Sequence, residues 1–494
     1  MNKTHAALLV IVLLGAFLRF HDIDKQGFWL DESATALSIK KYSLSETFDN
    51  TVNLGQILPS YYSSNLDLPP YYIILKLWSG IFGLNEASLR SFSALFGILS
   101  IIIIYFLSKE LFNSKTAVIA SLIFSLNVVM VEYSQEARLY SMLIFIVLLA
   151  SYFFIKSLKT NRNKYIAGFV ISNIAGIYTH YTFLFFVAFE LFFAVILFAK
   201  NYLKSKKIKI MKIYIASSSL IIFYIPLAAR LVKPKLVATH YLGSFSFGIL
   251  ARVFLQLNTW FYPSEQLTKN INNSQIGLFL FSDWILVVSA ALLTCLLLIF
   301  ALMNFAGAKK IDDSRLFLLL LLLIPLVMGF ATLYKSILTF GSIKYFIFVV
   351  PAYLILAANG IASLKNKKLV LFLSLIIILS IPQIYSYYSN PSKPQYRESA
   401  KFIEVNSMDN ELIIVNLPSI AVPFGYYSDK LTNVHGAASA ADAKKISINS
   451  KSLWLVLSTK YADPDGGIKY HFDDNYKLSG SKSFHDVRIY HYRK

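Results

Sequence analysis

The chain has 494 residues, 56% of them hydrophobic and 15% charged, with a mean hydropathy of +0.56, a composition that excludes a string of ordinary soluble domains and belongs to membrane proteins. A formal net charge of +20 would suit a nucleic-acid binder, but the charge is distributed as topology. Basic residues gather in short loops between apolar blocks (Lys156, Lys159, Arg162 and Lys164; Lys204, Lys206, Lys207, Lys209 and Lys212; Lys365, Lys367 and Lys368), which is the positive-inside pattern of cytoplasmic loops and makes membrane lipids, not nucleic acid, the partner of that charge.

From the N-terminus, the apolar segment 6–17 resembles a secretory signal, yet Arg19, Phe20 and His21 follow it instead of a small-residue cleavage site, so it reads as an uncleaved first helix. Apolar blocks then recur at lengths that cross roughly 30 Å of hydrocarbon as helices, and none alternates with the period of a barrel strand. The predicted spans are 5–20, 91–107, 117–130, 140–154, 165–178, 182–198, 213–229, 284–305, 316–333, 345–362 and 369–386. The expected fold is an all-α polytopic membrane protein of about eleven transmembrane helices with a small C-terminal soluble α/β domain. Residues 1–386 form the membrane domain, with outside loops at 21–87 and 230–283, and 387–494 form the second domain. With the lysine-rich loops and the N-terminus in the cytoplasm, an odd number of spans puts the C-terminal domain outside the cell membrane. The tail carries a helix-like 398–406, strand-like 412–416 and 454–458, and an alternating 484–492. The single cysteine, Cys295, excludes an intramolecular disulfide and a multi-cysteine metal site.

Three polar constellations stand out against this apolar background. The first outside loop opens with Gly27-Phe28-Trp29-Leu30-Asp31-Glu32-Ser33-Ala34. Either Asp31 caps the helix that follows, with Glu32 in its first turn, or one carboxylate at the membrane face serves as a general base for an acceptor hydroxyl. A second carboxylate, Asp67, precedes Pro69-Pro70-Tyr71-Tyr72, where the prolines suit an extended, rigid lead-in. The third is the outside turn Tyr133-Ser134-Gln135-Glu136-Ala137-Arg138-Leu139-Tyr140. Glu136 and Arg138 either pair or snorkel there, or Arg138 offers a guanidinium fork to a lipid phosphate. His180-Tyr181 closes another outside turn, as an interfacial pair or as part of a cavity.

In order and topology these positions resemble the membrane glycosyltransferases of GT-C fold, in the branch of the protein O-mannosyltransferases and the lipid A aminoarabinose transferase. The resemblance rests on Trp29-Leu30-Asp31-Glu32, Pro69-Pro70-Tyr71-Tyr72, Arg138-Leu139-Tyr140 and Lys344-Tyr345 followed by Pro351, and it covers the first 360 or so residues. It implies inverting transfer of a sugar from a polyprenyl-phosphate carrier to an acceptor lipid, glycan or protein outside the cytoplasm. Asp31, Glu32 and Asp67 would be the catalytic acids, with Asp31 as base. Arg138, Lys344 and Tyr345 would bind the donor phosphate, and Tyr133, Glu136, Tyr140, His180 and Tyr181 would line the substrate. Lys344 stands where relatives carry arginine, and Leu68 where they carry a basic residue. No cofactor is specified, although Asp31, Glu32 and Asp67 offer oxygen ligands to a divalent cation. The competing classes are a flippase of lipid-linked saccharides and a non-catalytic envelope scaffold; few charges and few helix breaks inside the spans argue against a translocation path.

Overall fold

A computed structural model describes residues 3–47, 69–160, 162–202, 281–306, 311–334, 344, 346–458 and 466–494. They group into two compact units, Met1–His21 with Ser93–Asn390, and Asp22–Phe92 with Pro391–Lys494. The sequence suggests a single boundary near residue 387; in the structure the first long loop groups with the C-terminal residues instead.

Among the described residues the first unit is helical. Helices run at Lys3–Phe20, from Ser93 along Glu86–Leu111, and at Ser114–Leu126, Val128–Ser134, Tyr140–Thr160, Asn163–Ile177, Phe183–Tyr202, Phe281–Leu302, Asp313–Tyr334, Val350–Ala362 and Asn366–Ser389. Six described helices are long and apolar enough to cross a membrane, or seven if one bent pair counts as a span. Ten of the predicted segments coincide with helices, shorter ones included; the segment 213–229 and nearly all of loop 230–283 lie outside the described residues. The first helix exposes Leu9, Val10, Leu13 and Phe17, as a lipid-facing helix does.

Two features differ from the expectation of plain apolar spans. The segment 117–130 is broken, because Asn127 leaves the helical conformation and its side chain accepts the Met130 N–H at 3.1 Å, capping a second helix bent 63° from the first. Charges are also buried within helices. Arg19 is fully buried and donates to the carbonyls of Gly15 (3.0 Å) and Ser125 (3.4 Å), while buried Glu190 accepts from Asn173 at 3.5 Å.

The second unit contains a mixed five-stranded sheet in the order β2-β1-β3-β5-β4. Its strands are β1 (Leu412–Val415), β2 (Val434–Gly436), β3 (Ser452–Ser458), β4 (Lys477–Phe484) and β5 (Val487–Arg493). β1 runs parallel to β2 and β3, and β5 runs antiparallel to β3 and β4. Strict alternation makes two cores. Ile413, Val415, Trp454, Val456 and Ile489 pack under helix Tyr396–Asn406, and Leu412, Ile414, Leu453, Leu455 and Tyr492 pack with Ile468 and Phe472 of helix Gly467–Asn475. The predicted strand 484–492 is β5 from Val487 on, while its first residues are the end of β4 and a turn at Asp486, whose φ of 56° suits its short polar side chain. Its partner β4 is exposed and rich in lysine and serine, a composition that suits an edge strand.

Candidate active site

The acidic motif lies in the second unit, at the start of helix Leu30–Lys41. Trp29, in an extended conformation, is the N-cap residue, and Glu32 reaches back to accept the Trp29 N–H at 3.4 Å. The capping alternative for Asp31 is therefore corrected: the helix begins at Leu30, the cap is closed by Glu32, and Asp31 stands half-buried at the second helical position. There its charge is favoured by the helix dipole, while its side chain is not required to close the cap.

Glu32 is completely buried and held by two cations. Arg90 donates from Nε to Oε1 and from Nη2 to Oε2, both at 2.8 Å, and Lys393 Nζ donates to Oε2 at 2.9 Å. The remaining Arg90 donors reach the carbonyls of Ile23 (2.8 Å), Gln26 (2.7 Å) and Gly27 (3.0 Å), so all five N–H groups of the guanidinium are used. Lysine, with three donors and no fork, could not make this set. Gly27 lies so close to its neighbours that a Cβ there would meet Arg397 Cβ at 2.8 Å and the Tyr427 hydroxyl at 3.1 Å. Tyr427 accepts the Phe28 N–H and donates to Glu86 Oε1 at 2.9 Å. Burial, with the Glu86 carboxylate, raises the Tyr427 phenol, so it stays protonated as a donor.

None of Arg90, Glu86, Lys393, Arg397 and Tyr427 is recognisable as part of this site from the sequence. The one available signal for Arg90 is an arginine on the threshold of a long apolar helix, where a charge needs a partner. Asp67 lies outside the described residues. The prolines that follow it do not form an extended lead-in: Pro69 and Pro70 are the first two residues of helix Pro69–Phe82, where a missing N–H leaves no helical bond unmade.

The cationic and aromatic candidates lie in the first unit. Tyr133, Glu136, Arg138, Tyr140 and His180 are all at most 6% exposed, which corrects the snorkelling alternative for Glu136 and Arg138. The turn that carries them is anchored by Gln135, whose amide donates to the carbonyls of Leu18, Arg19 and His21 (3.3, 3.2 and 2.7 Å) and accepts from Tyr387 at 2.8 Å. Ser93 fixes the Arg138 carbonyl at 3.1 Å. The Tyr140 ring packs 5.4 Å from Tyr133 and 6.1 Å from His180, His180 lies 4.3 Å from Tyr181, and Lys344 Nζ is 5.9 Å from the Tyr140 ring. Five candidates thus come together, Tyr133, Tyr140, His180, Tyr181 and Lys344, while Tyr345 lies outside the described residues. His180 Nδ1 accepts the Thr182 N–H (3.3 Å) and lies 2.7 Å from its hydroxyl, which leaves the ring proton on Nε2. Burial, and then the charges of Arg138 and Lys344, lower its pKa to about 3, so the imidazole is neutral. The cluster is a patch of two cations with a neutral N–H donor and phenol rings, suited to an anionic oxygen group.

Among the described residues no group of three His, Cys, Asp or Glu side chains could hold a metal ion. Glu32 already spends both oxygens on cations.

Residues 67–228 match the family described as dolichyl-phosphate-mannose-protein mannosyltransferase, a segment that includes Asp67, Arg138, Tyr140 and His180 and excludes Asp31 and Lys344. A Bacillus subtilis protein, YycA, whose name carries the word mannosyltransferase, is 29% identical over 163 residues, 33% of this chain and 23% of that protein. An uncharacterized protein of Aquifex aeolicus is 33% identical over 140 residues, 28% of this chain and 26% of that protein. The chain thus matches about a quarter of the length of these curated relatives. Likeness of fold extends much further. ArnT from Cupriavidus metallidurans, crystallised with undecaprenyl phosphate, superposes with a TM-score of 0.60 at 12% identity, covering 99% of this chain and 98% of that one. The Archaeoglobus fulgidus oligosaccharyltransferase AglB, in complex with an inhibitory peptide and a dolichol-phosphate, gives a TM-score of 0.54 at 13% identity, covering 99% and 74%. The chain is a multi-pass membrane protein that shares the GT-C fold of ArnT and AglB, and over residues 67–228 it is similar to the protein mannosyltransferases, as its motifs suggest.

Proposed function

We propose that the chain is an integral membrane glycosyltransferase that moves a sugar from a polyprenyl-phosphate carrier to an acceptor hydroxyl on the non-cytoplasmic side, by a single inverting displacement. The observation that carries this reading is the fold likeness over nearly the whole of both chains to ArnT, which holds undecaprenyl phosphate. Asp31 takes the proton of the acceptor hydroxyl as its oxygen attacks the anomeric carbon. The bond from that carbon to the phosphate oxygen breaks, and the carrier phosphate leaves with the electron pair. Arg138 and Lys344, with Tyr345, receive the phosphate charge; Tyr133, Tyr140, His180 and Tyr181 line the substrate beside Glu136, and Asp67 is the second acid of the first loop. Glu32 holds the first turn of the helix on which Asp31 stands. Envelope glycans and glycolipids from a deletion strain should lack one sugar residue in mass spectra, and an unchanged profile would sink the proposal.

Two variants test the phosphate assignment. Arg138→Gln and Lys344→Gln are each expected to weaken undecaprenyl phosphate binding roughly 10- to 150-fold, because a charge-assisted hydrogen bond contributes about 1.5–3 kcal/mol. Unchanged affinity in both folded variants removes them from the donor site.

Sidedness follows from the lysine-rich loops. A reporter fused after Lys494 should read as extracytoplasmic, and a cytoplasmic reading contradicts the assignment. The flippase alternative gains the bent helix pair and the charges of Arg19 and Glu190 buried within helices. A flippase, however, leaves the sugar on its carrier.

A further inference from the structure

Glu32 is held from two distant parts of the chain. Arg90 follows it within the first loop and helix, whereas Lys393 comes from Pro391-Ser392-Lys393-Pro394, just before the α/β layer. Pro394 disfavours a helical backbone at Lys393, so less freedom is lost in presenting its side chain. The backbone is tied to the loop as well, because Gln26 Oε1 accepts the N–H groups of Ser392 (2.8 Å) and Lys393 (3.0 Å). Further along, Arg397 donates to the carbonyls of Asp24 (3.0 Å) and Lys25 (2.7 Å).

Charge balance alone does not call for Lys393. The Arg90 fork already meets both oxygens of Glu32. What Lys393 adds is a link between the α/β layer and the first turn of helix Leu30–Lys41, one residue from Asp31. Glu32 transmits that link, since the same oxygen, Oε2, accepts from Lys393 and from the Trp29 N–H at the cap.

We infer that the α/β layer is a positioning body for the Asp31 loop, and that Lys393 is its positioning residue, acting through Glu32 on the helix start. The effect on catalysis rests on the reading of Asp31 as base; the effect on the loop does not. Lys393→Met, made in the full chain in detergent, should speed hydrogen–deuterium exchange of the amides at the start of helix Leu30–Lys41 at least about tenfold by easier local opening. It should also lower turnover, on the sugar that the deletion strain lacks presented on undecaprenyl phosphate, on the order of 10- to 100-fold, since small misplacement of a reacting group has that effect. Undecaprenyl phosphate affinity should not move, and Lys393→Arg should restore both exchange and turnover. Gln26→Ala provides an independent check should Lys393→Met fold poorly, with the same faster exchange expected. Unchanged exchange in the folded variants overturns the inference whatever the turnover. Faster exchange with wild-type turnover supports the positioning body and removes Asp31 from the chemistry.

Discussion

Asp31→Asn protein is expected to fold, to bind undecaprenyl phosphate and to turn over on the order of 10² to 10⁴ times more slowly than the wild type, the usual consequence of losing a general base. Asparagine keeps the size and one acceptor oxygen of aspartate but cannot take the acceptor proton. The structure sharpens this test, because the helix cap is closed by Glu32 and Asp31 sits one position earlier in the first turn. Loss of its charge weakens an interaction with the helix dipole of about 0.3–1 kcal/mol, and a melting curve beside the turnover measurement separates a folded variant from an unfolded one. A folded variant with near-wild-type turnover would move the base elsewhere, with Asp67 the next carboxylate to replace.

Arg90→Met should be the most destabilising single change in the second unit. It takes the guanidinium fork from the fully buried Glu32 and strips the carbonyls of Ile23, Gln26 and Gly27 of their arginine donors. Breaking a buried ion pair from one side costs about 3–5 kcal/mol, which a melting curve of purified protein would show as a large fall. Adding Glu32→Gln to Arg90→Met takes the carboxylate from Lys393 as well, so the double variant should regain none of the loss. A single variant that melts like the wild type would show that the network carries no stability.

Features governed by local pattern were legible in the sequence. Long apolar blocks give helices wherever the structure describes them, and β1 and β3 follow their short apolar runs, because burial on both faces leaves a continuous hydrophobic signature. The break at Asn127 is hidden because one polar residue in an apolar run barely changes its hydropathy, while its side chain competes for a single backbone bond. The strand β2 is only three residues long and half-exposed, too short for any periodicity to register. Within the site, Arg138, Tyr140, His180 and Lys344 could be picked out because each stands at the end of an apolar segment. Arg90 and Lys393 could not, since their meaning lies in Glu32, which is 58 and 361 residues away. Glu32 itself looked like half of a catalytic pair; only the fold reveals that both its oxygens meet cations.

The most direct measurement is the fate of a radiolabelled sugar presented on undecaprenyl phosphate to the purified chain in liposomes, with envelope acceptors from the deletion strain. The account predicts a new glycosidic bond of inverted anomeric configuration, formed together with an equal amount of free undecaprenyl phosphate and lost with Asp31→Asn. Label that crosses the bilayer still attached to its carrier, or that stays on the carrier in the presence of every acceptor fraction, would contradict it.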